Sequence, residues 1–124
     1  MMYAIQGNSL TGANVVLAAE QALLNTPGDL SMKVMMAMEA ARSMGGDGRC
    51  SCKPGAADSC GSPPPSFDKS AHQAVMFLAR PGDKNGFCNG TQGCANGDYY
   101  LALKVGGNWS NVDPVIELRD QYAQ

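Results

Sequence analysis

A chain of 124 residues, 44% of them hydrophobic, is long enough for one domain with a real core and too apolar for wholesale disorder. Nine basic against eleven acidic residues leave a formal charge of −2, and no basic run or stripe is present, which argues against nucleic acid or anionic lipid as a partner. No window approaches the roughly 18 uninterrupted apolar residues of a membrane span, and Met1–Gln6 has neither the charged start nor the apolar core of a signal peptide.

The first predicted element follows Thr11, a candidate N-cap, and runs through the Ala/Leu/Glu/Gln-rich stretch to Asn25 as a helix. Thr26-Pro27-Gly28-Asp29 is turn chemistry and ends it. Ser31 is the candidate cap of a second helix over Met32–Met44, stopped by Gly45-Gly46. So short a turn predicts an antiparallel helix pair lying on one side of something flat. Five of the eight methionines, Met32, Met35, Met36, Met38 and Met44, fall on this second helix, where core packing is the expected role.

From Asp47 to Ser66 the chain is Gly, Pro, Ser and Cys without periodicity, a long loop of the kind that is functional or cross-linked. Ala71–Ala79 reads as a buried strand, Arg80–Gly86 as a turn cluster and Tyr99–Val105 as a second strand, with Trp109 at the start of a short third one. Asp113-Pro114 forms a cap and first-turn pair that opens a terminal helix to about Ala123. Helix, helix, strand, strand, helix is an α+β order, with helices expected to pack on an antiparallel sheet. Two or three strands are few for an independent sheet, so more strands are expected elsewhere.

All five cysteines lie between Cys50 and Cys94, among Gly, Pro, Ser and Asn rather than among apolar neighbours. Such crowding points to disulfides and an oxidising compartment. Cys88 and Cys94 flank a hairpin-like loop and are expected to bridge it. Cys50 and Cys52 stand too close for an easy mutual bridge, and Cys60 is a natural partner for one of them. Zinc is disfavoured, because paired Cys-x-x-Cys spacing and suitably placed histidines are lacking. The sole histidine, His72, is read as structural rather than as half of a Cys–His nucleophile.

Asn89-Gly90-Thr91 and Asn108-Trp109-Ser110 are acceptor triplets for N-glycosylation, placing Asn89 and Asn108 on the surface of a secreted protein. Asp83, Asn85 and Asp98 gather oxygen ligands in which calcium is conceivable, although turn formation by Asx residues is the favoured role. An odd cysteine and a secreted composition without a signal peptide lead to the expectation that residues 1–124 are a single domain, the C-terminal portion of a longer secreted precursor. A cytosolic protein initiated at Met1 is the competing expectation.

Three stretches carry a family resemblance: Tyr3-Ala4-Ile5-Gln6-Gly7-Asn8-Ser9-Leu10; Ala40-Ala41-Arg42 with Gly45-Gly46-Asp47-Gly48-Arg49 and Lys69-Ser70-Ala71; and Asn111-Val112-Asp113-Pro114 through Arg119. Together they resemble the C-terminal half of the domain-of-unknown-function 1028 family, which is similar to the N-terminal-nucleophile hydrolases. The resemblance implies half of an αββα sandwich, here with disulfide-stapled loops. It also implies a catalytic Thr, Ser or Cys upstream of this chain, and no catalytic residue carries over to it. Asp47 and Arg49 match the Gly-Gly-Asp-x-Arg signature, as either a ligand site or an ion pair that fixes the loop. The functional expectation is a secreted, disulfide-stapled, glycosylated protein of extracellular binding or assembly. Its expected partners are the upstream half, a second chain reached through the odd cysteine, or further copies in a homo-oligomer. The alternative is a secreted amide-bond hydrolase whose nucleophile lies upstream.

Overall fold

The computed structural model describes residues 1–51, 69–84, 86–89, 93–95, 97–106 and 112–124. They form an α+β arrangement: helices α1 (Asn14–Asn25) and α2 (Leu30–Ser43), a single turn α3 (Gly48–Ser51), strands β1 (Ala74–Leu78), β2 (Phe87–Asn89), β3 (Gly93–Ala95) and β4 (Leu101–Val105), and helix α4 (Pro114–Tyr122). β1 and β4 pair antiparallel, with Met76 opposite Leu103, and β2 and β3 form a second antiparallel pair.

Apolar spacing explains how the helices pack. Val15, Ala19 and Leu23 recur every fourth residue and make the buried stripe of α1, which lies against α2. Alternation does the same for the sheet. Ala74, Met76 and Leu78 of β1 are buried, whereas Val75 between them is exposed. These three join Met35 of α2, Val105 of β4, and Val115 and Leu118 of α4 in one core cluster. α4 is the helix that lies on β1 and β4, while α2 packs beside it.

The helix ends depart from the sequence expectation. Thr11 is not a cap. Its backbone N–H donates to the Gly46 carbonyl at 3.1 Å and its hydroxyl to the Met44 carbonyl at 2.6 Å, so it ties the chain before α1 to the end of α2. α1 begins at Asn14, behind an Ala13 that makes no side-chain cap bond. Ser31 is not a cap either. Asp29 takes that role, its carboxylate accepting from the Met32 N–H at 3.0 Å, because Asp29 rather than Ser31 keeps the extended backbone a cap requires. The Ser31 hydroxyl instead bridges Asp29 Oδ1 at 2.7 Å and the Tyr122 hydroxyl at 2.8 Å.

Gly45-Gly46 does stop α2, through a Schellman motif. The Gly46 N–H donates to the Ala41 carbonyl at 3.0 Å and the Gly45 N–H to the Arg42 carbonyl at 2.9 Å. Gly46 is required twice over. Its φ is +56°, and a Cβ there would lie 2.5 Å from the Ser70 carbonyl oxygen.

The methionines divide by position. Met35 is buried and Met38 packs on the core, whereas Met32 and Met36 are exposed. Three elements were not expected. α3 interrupts what reads as loop, and β2 and β3 are strands too short for alternation to reveal. Trp109, the expected start of a third strand, lies outside the described residues, as do Cys52, Cys60, Asn85 and Asn108.

Candidate functional site

Three chain segments converge at the C-terminal end of α2. Leu10 bridges Asp47, the Gly48 N–H donates to the Ser9 carbonyl at 2.7 Å, and the Asp47 N–H donates to the Ser70 carbonyl at 2.8 Å. Asp113, 1% exposed, stands at the centre of this junction. Its Oδ1 caps α4 by accepting from the Val115 N–H at 3.0 Å. Its Oδ2 accepts from the Ser70 N–H at 2.8 Å and from Arg42 Nε at 3.1 Å. A buried carboxylate is tolerated only where its lone pairs are filled, and three donors fill these. At the far end of the same helices Ser31 meets Tyr122, so α2 and α4 run antiparallel and are latched at both ends.

Beside Asp113 the signature residues form a compact unit. Arg49 Nη2 lies 2.7 Å from Asp47 Oδ2 and its Nε 3.0 Å from Oδ1, a bidentate ion pair, while the Arg49 N–H also donates to Oδ1 at 2.9 Å. Two effects compete at Asp47. Partial burial pushes its carboxyl upward, but the bonds from Arg49 outweigh it and hold the group below the usual carboxylate range. Arg49 remains largely solvent-facing, with 59% of its side chain exposed.

Cys50 follows immediately as a free, half-buried thiol. Burial, then the Asp47 carboxylate, push it above the ordinary thiol range, so it is protonated at neutral pH and a poor nucleophile. Among the described residues this junction holds a thiol raised above its ordinary range and two carboxylates, Asp47 and Asp113, already occupied by donors. Its chemistry is that of a fastening.

Next to the junction a cavity of about 250 Å³ is bordered by Arg42, Gly46, Ser70, Gln73 and Val115. The Ser70 hydroxyl is buried and has no hydrogen-bond partner among the described residues.

Asp83 and Asp98 line a separate polar cleft of about 410 Å³ with Arg80 and Tyr100. Each is engaged locally: Asp83 Oδ2 accepts from the Arg80 N–H at 2.6 Å and Asp98 Oδ2 from the Lys84 N–H at 3.0 Å. No group of three or more His, Cys, Asp or Glu side chains converges among the described residues. Arg80 stacks on the Tyr100 ring at 4.4 Å. Of the remaining sequence-selected positions, Cys88 and Asn89 fall on β2, Cys94 falls on β3, and Cys88 is paired directly opposite Cys94.

Residues 1–57 match the profile of DUF1028, a family of unknown function. The matched segment contains α1, α2 and the Asp47–Arg49 pair, and it ends before Lys69-Ser70-Ala71, the strands and α4. Asp113 and Ser70 therefore complete the junction from outside the matched part. No curated protein and no solved structure matches the chain.

Sequence reading singled out Asp47 and Arg49 but missed the hub. Asp113 was legible as a helix cap, and Arg42 was legible as part of the Ala40-Ala41-Arg42 stretch. Nothing local reveals that a cap's second oxygen reaches a backbone 43 residues away and a guanidinium 71 residues away.

Proposed function

We propose that this chain is a secreted, disulfide-stapled glycoprotein that acts in extracellular binding or assembly, as part of an αββα sandwich completed by further polypeptide. The observation that supports assembly is the amount of surface the described elements leave for a partner. β1 and β4 make a two-stranded sheet, fewer strands than usually stand alone. Between the N-terminal segment and the helix pair lies an apolar groove of about 480 Å³, bordered by Tyr3, Ile5, Leu23, Val34 and Met38. Met2, Leu17, Leu24 and Val75 are exposed as well. Apolar surface of this extent favours a protein partner.

Secretion is supported by the cysteine-rich composition and the two acceptor triplets, and by the pairing of Cys88 opposite Cys94. The completing polypeptide is the upstream half of a longer precursor or a second copy of the chain.

Sedimentation of the chain under non-reducing conditions tests the assembly reading. A species of two or more copies at micromolar concentration is expected, and Val75→Lys should weaken it. A strict monomer that hydrolyses amide substrates would overturn the proposal in favour of the hydrolase alternative.

A further inference from the structure

We propose that the cleft beside the Arg80–Asp83 turn is a binding site for a neutral pyranose sugar. Arg80, Asp83, Gly97, Asp98, Tyr99 and Tyr100 border this open space of about 410 Å³. The volume falls within the roughly 300–1,000 Å³ of small-ligand sites.

Both carboxylates are oriented before any ligand arrives. Pro81 and Gly82, the latter at φ +90°, suit the centre of a tight turn, which the Asp83 N–H closes on the Arg80 carbonyl at 3.0 Å. The Arg80 N–H returns to Asp83 Oδ2 at 2.6 Å. Asp98 is held by a similar exchange with Lys84. Its N–H donates to the Lys84 carbonyl and its Oδ2 accepts from the Lys84 N–H, both at 3.0 Å. In each case one carboxylate oxygen is fastened to backbone, and Oδ1 makes no hydrogen bond among the described residues. A carboxylate only accepts, so the two side chains offer preorganised acceptors to hydroxyl donors.

The aromatic side chains complete the site. Tyr99 packs on Phe77 with ring centroids 5.2 Å apart, and its phenol lies over Gly97, where a Cβ would come within 2.7 Å of Oη. Gly97 is the residue that leaves room for this ring. Tyr100 is 42% exposed, and the Arg80 guanidinium stands 4.4 Å from its ring centroid. Aromatic faces are electron-rich and meet the polarised C–H groups of a sugar ring, while carboxylates and guanidinium exchange hydrogen bonds with its hydroxyls. The charge pattern disfavours other ligands. Two carboxylates repel an anion, and Arg80 already holds a face of Tyr100 that an organic cation would seek. A hard metal ion takes roughly six to eight oxygen ligands, of which two carboxylates supply a small part. A neutral polyol uses the acceptors and the donor alike.

This inference goes beyond the assembly reading and is independent of it, because its test reads neither oligomeric state nor secretion. The full chain, isotope-labelled and produced without glycan, is titrated with the methyl glycosides of glucose, galactose and mannose, and with lactose and chitobiose. At least one sugar should move the backbone amide signals of Arg80, Lys84, Asp98 and Tyr100 together and saturably at millimolar concentration. A disaccharide that binds more tightly than the monosaccharides identifies a glycan chain as the source, and equal affinity identifies a single sugar; both support the assignment. Asp98→Asn keeps an oxygen for the Lys84 N–H but replaces the second acceptor with a donor, and Tyr100→Ala removes the exposed ring. Each should weaken binding roughly tenfold or more while the amide signals of α1, α2 and α4 stay in place. Silence with every sugar, or unchanged affinity in both variants, would overturn the inference. A response to calcium chloride but to no sugar would assign the cleft to a cation instead.

Discussion

Replacing Asp113 by alanine removes the three hydrogen bonds that hold the junction together, and their separate contributions can be worked out from the geometry. Loss of the cap on the Val115 N–H costs about 1 kcal/mol. The Ser70 N–H, buried and 2.8 Å from Oδ2, is left without a partner at a cost of about 1–3 kcal/mol. Arg42 contributes less, at most about 1 kcal/mol, because 30% of its side chain is exposed and the guanidinium can turn to water. The expected total is about 2–5 kcal/mol, a large share of the roughly 5–15 kcal/mol that stabilises a domain. Urea unfolding followed by circular dichroism should therefore show a lower midpoint with an unchanged slope. The thermal midpoint should fall by roughly 10–20 °C. Asp113→Asn should lose roughly half as much, because it keeps one acceptor oxygen for the cap but cannot accept on both sides. A loss below about 1 kcal/mol for Asp113→Ala would refute the view that Asp113 is the hub of the fold.

Further outcomes are expected around the same junction. Gly46→Ala should destabilise by roughly 2–4 kcal/mol through strain and the clash with Ser70, whereas Gly82→Ala, at φ +90° but facing open space, should cost only about 1 kcal/mol; equal losses in chemical denaturation would remove the clash from the account. Because Asp47 has a folded-state pKa below its ordinary 3.8, its contribution to stability is complete above that value and disappears as pH falls through the lowered one. Unfolding midpoints measured from pH 6 down to pH 2 should decline less steeply in Asp47→Asn, and parallel curves would contradict the ion-pair assignment. Cys50, pushed above the ordinary thiol range, should react with iodoacetamide at pH 8 more slowly than free cysteine and accelerate in denaturant. A rate equal to that of the unfolded chain would place the thiol in solvent.

Much of the architecture is readable because its determinants are local. Thr26-Pro27-Gly28 cannot continue a helix, Gly45-Gly46 supplies the positive φ that ends one, and Asp113-Pro114 both caps and begins another. The errors arise where tertiary bonds take over residues with good local credentials. Thr11 and Ser31 have the chemistry of caps, yet both are buried and spend their hydroxyls on distant partners, Met44 and Tyr122. β2 and β3 escape detection because three residues rich in Asn, Gly and Cys carry neither alternation nor strand propensity. The hub itself is invisible in sequence for the same reason: a carboxylate that reads as a cap has a second oxygen whose partners are supplied only by the fold.

The most direct test of the extracellular assignment is the oxidation state of the protein as its native source makes it. Intact mass after alkylation, compared with and without reduction, should reveal at least two disulfides among the five cysteines. Four or more free thiols in that material would contradict a secreted, stapled protein.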